Sequence, residues 1–493
     1  MASYHGYNGA PLRAIARATS CMNFNSLDYF VFLGVTLCGY WLARKQLLRL
    51  ALLAFASCIF YMAWNPAYLF LIVMSITVDY VAGARMADAT NHNIRKAWLA
   101  ASLTVNLGLL GLFKYYNFFA TSLVDAGRVL GVPIASLHID VLLPVGISFY
   151  TFESLSYTID VYQGKIPPTR SFVRFACFIT FFPHLVAGPI VRASDFLSQL
   201  REEPKLFPER VGQGTFLIAT GLIKKVVFAD YLALNLIDRV FDDPGAYSSA
   251  EVMLSLYAYT LQIFCDFSGY TDVARGSALL FGLELPENFD RPYQATSPAE
   301  FWRRWHMTLS TWLRDYLYFP LGGSKVPAGR AYFNLWITVF LVGLWHGAAW
   351  TFVIYGMLHA TSMVVHRFFY RAAGRTSETV DPFALRVVKV VGTLHFVVLS
   401  RIFFRASDLE NALEVMRQLA VGTTALFHMT ASVWAVLLTG YALHYTPRGW
   451  FALMRQGFVR LPAPAQGFVL ASVASGLMLV ATEDAVPYIY FQF

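Results

Sequence analysis

Long apolar runs follow one another along nearly the whole chain, and most carry a glycine, a proline or an ionisable residue in the middle. A helix that crosses a bilayer needs about 20 mostly apolar residues. Segments near 28–43, 47–64, 67–83, 97–120, 141–162, 172–191, 213–239, 249–283, 332–346, 350–369, 386–404, 430–446 and 466–482 read as spans, the long 249–283 segment with a break. Irregular backbone at membrane depth is tolerated only inside protein or along a water-filled cavity. The pattern predicts an all-α polytopic membrane protein, a helical bundle with an interior rather than a row of anchors. Composition agrees: 57% of residues are hydrophobic and 14% charged, against roughly 45–50% and about 25% in soluble domains.

The net charge of +8 reads as loop charge that sets topology. No basic stripe with stacking aromatics stands clear of the membrane, so no nucleic-acid partner is expected. Arg44, Lys45 and Arg49 follow the first span, Arg85, Arg95 and Lys96 the third, and Lys165, Arg170 and Arg174 the fifth, whereas "WNPAY" after the second is uncharged. The positive-inside rule then places the N-terminus outside and the basic loops in the cytoplasm. None of the five cysteines belongs to a C-x-x-C pair, which argues against a zinc site or disulfide framework. Residues 1–27 form a polar extension without the apolar core of a signal peptide, and Met22 is a candidate true start. Residues 28–483 read as one membrane domain without internal repeats, and 484–493 as an aromatic tail.

One region breaks the apolar pattern. From Leu285 to Arg330 the chain is too polar to span, and Trp302, Trp305, Trp312, Tyr316 and Tyr318 alternate with Arg303, Arg304, His306, Arg314 and Asp315. "SPAEFWRRWHMTLSTWLRDYL" predicts one helix with Ser297 as N-cap, Pro298 at its first position and Glu300 closing a capping box. Its aromatics and cations suit an interfacial or re-entrant helix.

His346 lies in the apolar stretch "LVGLWHGAAW". A structural histidine that satisfies a core contact is the bland reading. Ionisable residues within membranes are nevertheless functional candidates by default, and His306 lies upstream where the chain can fold back. Two imidazoles at one cavity suit general acid–base work. A metal is the rival use, but His346 and His359 are too far apart to share a helical face and no carboxylate lies close in sequence, so no metal is expected. Asp272 and Arg275 are spaced to pair on one helix face, near Asp266. "FFPHLVAGPI", with His184 between Pro183 and Pro189, reads as a broken helix. No G-x-S-x-G elbow, P-loop or G-x-G-x-x-G is present, which sets aside serine hydrolases and nucleotide-driven enzymes.

"LPVGISFYTFESLSYTIDVYQG", "FFPHLVAGPI", "CDFSGYTDVARGSALLFGLELPENFDRPY", "FWRRWHMTLSTWLRDYLYFPLGG" and "GLWHGAAWTFVIYGMLH" fall in order between Leu143 and His359. Together they resemble the membrane-bound O-acyltransferase family, most of all its alginate O-acetyltransferase branch. The resemblance implies a bundle around a transmembrane tunnel, with His346 of the W-H-G context catalytic and His306 of R-R-W-H facing the same tunnel. It implies a cytosolic acyl thioester, acetyl-CoA, as donor substrate, and no bound cofactor. Arg303, Arg304 and Arg314, with Trp305, are the candidates to hold that donor, since its phosphates need cations. A neutral imidazole can take a proton from an attacking hydroxyl. His306 would either orient the acceptor or donate to the developing oxyanion.

The tail "YIYFQF" reads as an aromatic interfacial anchor. It also resembles the aromatic C-terminal motif of the small partner protein in teichoic-acid D-alanylation, where a tyrosine is proposed as an acyl relay; here that is Tyr490. The expected activity is O-acetylation of an exported polysaccharide, as in alginate biosynthesis. Its setting would be the bacterial inner membrane, with a periplasmic SGNH-type acetyltransferase as partner. Alginate, cellulose, another glycan and peptidoglycan stay open as acceptors. A polysaccharide or lipid transporter is the alternative, since broken helices and buried charge also mark transporters.

Overall fold

A computed structural model describes residues 22–374, 381–481 and 487–489. Among them all regular structure is helical. The order is α1 (Leu27–Leu42), α2 (Gln46–Met62), α3 (Tyr68–Asp88) and α4 (His92–Leu110), which runs through a π turn (Gly111–Tyr115) into α5 (Tyr116–Val129). Then come α6 (Ile147–Tyr162), three short pieces α7 (Phe172–Thr180), α8 (Phe182–Leu185) and α9 (Ala193–Gln199), and α10 (Pro208–Ile223). α10 continues through π segments (Lys224–Asp230, Ala233–Ile237) to α11 (Asp238–Asp242), and α12 (Ser249–Leu280) returns beside it. α13 (Pro298–Arg304) and α14 (Met307–Leu313) lead through a π segment (Arg314–Tyr318) to α15 (Ala328–His346), α16 (Trp350–Ala372) and α17 (Phe383–Arg405). α18 (Leu409–Val421), α19 (Ala431–Tyr445), α20 (Arg448–Arg460) and α21 (Ala463–Val480) complete the bundle.

Among the described residues, four helices are long and apolar enough to cross a membrane alone: Pro66–Asp88, His92–Val129, Phe383–Arg405 and Ala463–Val480. Several expected spans take another form. The 141–162 span starts only at Ile147, because Gly146 adopts φ 76° with its α-carbon against the Leu185 carbonyl. The 172–191 span is broken at Phe181 into α7 and α8, and residues beyond Val186 leave the helix. The 249–283 segment is unbroken; α12 is 32 residues long and buried on nearly every side, so its interior polar residues have neighbours on all faces. The bundle also begins earlier than residue 28: Phe24 is 1% exposed and its ring lies 4.5 Å from Tyr29 and 4.4 Å from Tyr270.

The predicted helix over 297–317 is two helices. Ser297 caps α13 by accepting from the Glu300 N–H at 3.2 Å. The Glu300 carboxylate does not return to Ser297, however; it accepts from Thr296 N at 2.8 Å and Thr296 Oγ1 at 2.6 Å. A reciprocal capping box occurs instead at Ser248 and Glu251, which open α12. The predicted Asp272–Arg275 pair does not form either. Asp272 takes Lys224 at 2.6 Å and Arg275 takes Glu287 at 3.2 Å, partners from other elements.

Helix contact in a membrane is driven by close packing and interhelical hydrogen bonds, so small residues collect at the closest approaches. α10 and α12 touch at two glycine pairs seven residues apart on each helix. A β-carbon at Gly276 would lie 2.4 Å from the Gly214 carbonyl oxygen, and one at Gly221 would lie 2.5 Å from that of Gly269. α15 and α16 cross in the same way, with a β-carbon at Gly343 only 2.4 Å from the α-carbon of Gly356. A buried carboxylate ties α3, α4 and α6 together: Asp79 accepts from Ser102, Asn106 and Ser154. The loops at the ends of α3 and α6 are joined by Arg170–Asp88 at 2.6 Å and Arg95 to the Tyr162 carbonyl at 2.8 Å. The Arg314–Tyr318 segment joins the same end through Tyr316 to Asp160 at 2.7 Å and Arg192–Asp315 at 2.6 Å.

The α10–α12 contact predicts the outcome of a paired substitution. Gly276→Leu must push two backbones apart, and overpacking of this kind costs about 1–3 kcal/mol. Gly108→Leu, where no atom lies within 4 Å of the added carbon, should be near neutral. Thermal unfolding in detergent should show a clear loss for the first variant only; equal melting would overturn the close-contact account.

Candidate active site

The centre of the bundle is built around a helix break. Between α13 and α14, His306 adopts φ 43°, a left-handed conformation that costs a non-glycine residue about 1–3 kcal/mol. The break also strands backbone donors and acceptors, which at this depth need protein partners. The extended segment after α12 supplies them. Asp290 N donates to the Arg304 carbonyl at 2.9 Å, and Met307 N donates to the Asn288 carbonyl at 2.9 Å. The Asn288 side-chain oxygen accepts from Thr308 N at 3.2 Å and Thr308 Oγ1 at 2.9 Å, and lies 3.1 Å from His306 Nδ1. The "GPIV" loop closes the other side: Ile190 N donates to Thr308 Oγ1 at 3.1 Å and Val191 N to Glu153 at 3.2 Å. Glu153 in turn pairs with His184 at 3.0 Å, so that histidine secures the loop. His306 is buried against the rings of Phe267 at 4.8 Å, Trp345 at 5.6 Å and Phe149 at 6.3 Å.

His346 is the last residue of α15, where helix carbonyls lose their intrahelical donors. Here a cation replaces them. Lys114 Nζ donates to the Trp345 carbonyl at 2.6 Å and reaches that of His346 at 3.4 Å, while the Tyr115 hydroxyl donates to the Leu344 carbonyl at 3.0 Å. The π turn in the α4–α5 rod presents both residues to the end of α15. Gly347 follows because a β-carbon there would sit 2.2 Å from the Phe352 ring, which accounts for the glycine of W-H-G. The His346 ring packs against Trp345 at 5.1 Å and Phe404 at 5.1 Å. The two histidines therefore flank one indole. His359 is drawn aside to Ser400 at 3.0 Å, and among the described residues no cluster of three metal-ligating side chains forms.

A cavity of about 1290 Å³ opens beside this pair. Ser310, one turn beyond His306, and Val342, one turn before His346, are both in its wall. Its apolar lining includes Val339, Met363 and Phe396, and its charged lining includes Arg303, Arg314, Arg367 and Lys389 with Glu300 and Asp381. Asp315 beside it stays charged: burial opposes this, but hydrogen bonds from Arg314 and Arg192 outweigh burial and hold its carboxyl below the usual range. Two of the four residues expected to hold a donor lie elsewhere. Arg304 is committed to Glu300 at 2.6 Å, and Trp305 is buried beneath the Arg401 guanidinium, 4.8 Å from its ring.

Lys114 and Arg401 were not singled out in the sequence, although each is a cation inside an apolar run, the signal that marked His346. A third buried cation meets the tail. Lys225 is held by Asp266 at 2.8 Å and Asp230 at 2.7 Å. It lies 4.4 Å from the Tyr488 ring centre and donates to the Pro487 carbonyl at 3.4 Å, while Ile489 N donates to Asp266 at 2.9 Å. Pro487 is partly buried and Tyr488 and Ile489 are buried, seated in the core against Lys225, Asp266 and Tyr270 rather than at a membrane surface. Tyr490 lies outside the described residues.

Residues 167–407 match the model of the MBOAT, membrane-bound O-acyltransferase, family. The chain is 41% identical over 387 residues to a probable alginate O-acetylase AlgI of Azotobacter vinelandii, covering 78% of this chain and 74% of that protein. It is 36% identical over 440 residues to a peptidoglycan O-acetyltransferase of Helicobacter pylori, covering 83% and 81%. A teichoic acid D-alanyltransferase of Bacillus subtilis is 30% identical over 271 residues, 51% of this chain and 66% of that protein. The chain belongs to the membrane-bound O-acyltransferase family. It is a multi-pass membrane O-acyltransferase, and the transporter alternative is set aside.

Within this acyltransferase, Lys114 holds the end of α15 that carries His346. Lys114→Met keeps the length of the side chain but leaves α15's last carbonyls without their donor, a loss of about 1–3 kcal/mol. Each 1.4 kcal/mol that falls on the transition state is tenfold in rate. Turnover should drop about tenfold or more at a membrane abundance that still permits assay; wild-type turnover would show that His346 is placed without the lysine.

Proposed function

We propose that this enzyme moves an acetyl group from cytosolic acetyl-CoA to a hydroxyl presented from the far side, for O-acetylation of an exported polysaccharide of the alginate type. The observation that carries the reading is the placing of two imidazoles on Trp345, one helical turn behind a cavity with cations in its lining. Arg303 and Arg367 suit the donor's phosphates, Arg314 and Lys389 being paired with Asp315 and Asp381, and the apolar wall suits its pantetheine arm. The cavity wall at Arg314 and Tyr318 shares its end of the bundle with the basic loops, the cytoplasmic end by the positive-inside rule. The acceptor oxygen attacks the thioester carbon, its C–O bond forms as the C–S bond breaks, and the two histidines pass the hydroxyl proton to the leaving sulfur.

The seating of Pro487–Ile489 supports a further step. Ile489 is held by Asp266, the neighbour in sequence of Phe267, whose ring packs on His306. A phenol has a pKa near 10, below that of a sugar hydroxyl, and its ester is a good acyl donor. Tyr490 would accept the acetyl group and present it to a periplasmic SGNH-type acetyltransferase, which returns the free phenol. Bacterial inner-membrane residence follows from this route. Peptidoglycan is the second acceptor to consider, because the Helicobacter pylori relative matches more of this chain than the alginate relative does.

His346→Ala and His306→Ala should each lower polymer acetylation by at least about 10²-fold, the lower range for general acid–base catalysis, at normal membrane abundance. O-acetyl content of secreted polysaccharide and of peptidoglycan, measured side by side, reads both the activity and the acceptor. Wild-type acetylation by either variant removes that histidine from the mechanism.

Tyr490→Phe keeps the ring and deletes only the hydroxyl. The variant should accumulate, still bind acetyl-CoA, and leave the polymer unacetylated. Full acetylation would reduce the tail to a docking peptide.

A further inference from the structure

Asn288 meets the three groups that follow the helix break with a single oxygen. That oxygen is 3.2 Å from Thr308 N, 2.9 Å from Thr308 Oγ1 and 3.1 Å from His306 Nδ1. A backbone N–H can only donate, so the atom facing Thr308 N must be the amide oxygen and not the amide nitrogen. Thr308 Oγ1 already accepts from Ile190 N at 3.1 Å and has its own proton to give to Asn288. The amide orientation is thus decided by main-chain chemistry, independently of the histidine.

The consequence falls on the imidazole. Facing an acceptor oxygen, Nδ1 must carry a proton. Asn288 and His306 are 1% and 0% exposed, and burial away from water favours the neutral ring. A neutral imidazole protonated on Nδ1 has its lone pair on Nε2. We infer that Asn288 is a positioning residue that holds His306 in the Nδ1–H tautomer, which makes Nε2 the atom that receives the acceptor hydroxyl's proton. Of the two roles read from the sequence for His306, donation to the oxyanion by the resting ring is excluded, since Nε2 has no proton to donate until the hydroxyl has given one up; Nε2 orients the hydroxyl by accepting its hydrogen bond and then takes its proton. The proton then leaves Nε2 for the departing thiolate, so the ring ends as it began. The direction of that transfer rests on the acyltransferase mechanism proposed above; the tautomer does not.

The test uses full-length enzyme in nanodiscs with ¹⁵N-labelled histidine, the His306 signals being assigned by their loss in His306→Gln. A protonated Nδ1 and an unprotonated Nε2 at neutral pH are expected. A neutral ring protonated on Nε2, or a doubly protonated ring, overturns the inference whatever the activity. Asn288→Asp keeps an acceptor oxygen toward both Nδ1 and Thr308 N, so it should keep the tautomer and most of the turnover. Asn288→Leu removes the acceptor and should mix the tautomers, with kcat reduced at least tenfold and KM for acetyl-CoA little changed; loss of orientation by a catalytic histidine in a Ser-His-Asp triad reaches about 10⁴-fold. Turnover lost equally in both variants with the spectrum unchanged would make Asn288 a structural residue only. Were Asn288→Leu not to accumulate, the wild-type spectrum and the Asn288→Asp rate still decide between these outcomes. The result also separates from the acyl-transfer reading: the expected tautomer in an enzyme whose His306→Ala variant is fully active would uphold the Asn288 contact and discard the proton path.

Discussion

The hold of Asn288 on the helix break at His306 is the contact on which the centre of this enzyme depends. A chain that leaves a helix at membrane depth exposes donors and acceptors that lipid cannot satisfy. The segment 288–290 satisfies them from one side and the 188–191 loop from the other. Both are themselves irregular, so neither would be stable without its neighbour. Their mutual placement follows from packing: α12 delivers the first segment, and α12 is set against α10 by two pairs of touching glycines. The surroundings of His306 are therefore the meeting point of several broken elements, each completing the hydrogen bonding of another.

Buried cations do related work in three places. Lys114 closes the end of α15 beneath His346, Lys225 receives the tail with Asp266, and Arg401 spreads over Trp305 with a hydrogen bond to Tyr355 at 3.2 Å. An unpaired charge inside a membrane bundle is costly, yet carbonyl groups, carboxylates and aromatic faces can each stabilise it. In this bundle each such cation lies where a chain end or helix end must be held. His184 serves Glu153 and the 188–191 loop, while His306 and His346 stand one helical turn behind the cavity wall formed by Ser310 and Val342.

Much of this was legible in advance. Apolar runs located the helices to within a few residues, with Ala328–His346 and Phe383–Arg405 close to the spans read at 332–346 and 386–404. Ser297 was recognisable as a cap, and the histidines stood out because a polar side chain in an apolar run is conspicuous. What failed was pairing. Spacing suggested Asp272 with Arg275, but an i, i+3 neighbour on one helix competes with any charge a second helix brings closer, and Lys224 did so at 2.6 Å. Helical propensity likewise favoured one helix over 297–317, and nothing local marks Trp305–His306 as a break.

The sequence by itself determined that the chain is an all-α membrane bundle, that its family motifs run from Leu143 to His359, and that His306 and His346 are the groups to examine. Periodicity, composition and motif order are properties of residues and their near neighbours, so they survive without coordinates. The tertiary structure alone decided which arginines reach the cavity, that Lys114 and Asn288 hold the histidines, and that Pro487–Ile489 enters the core. Those facts depend on contacts between residues as far apart in the chain as Lys114 and Trp345 or Asp266 and Ile489. Such contacts are selected by competition among many partners of similar chemistry, and only the packed bundle settles that competition.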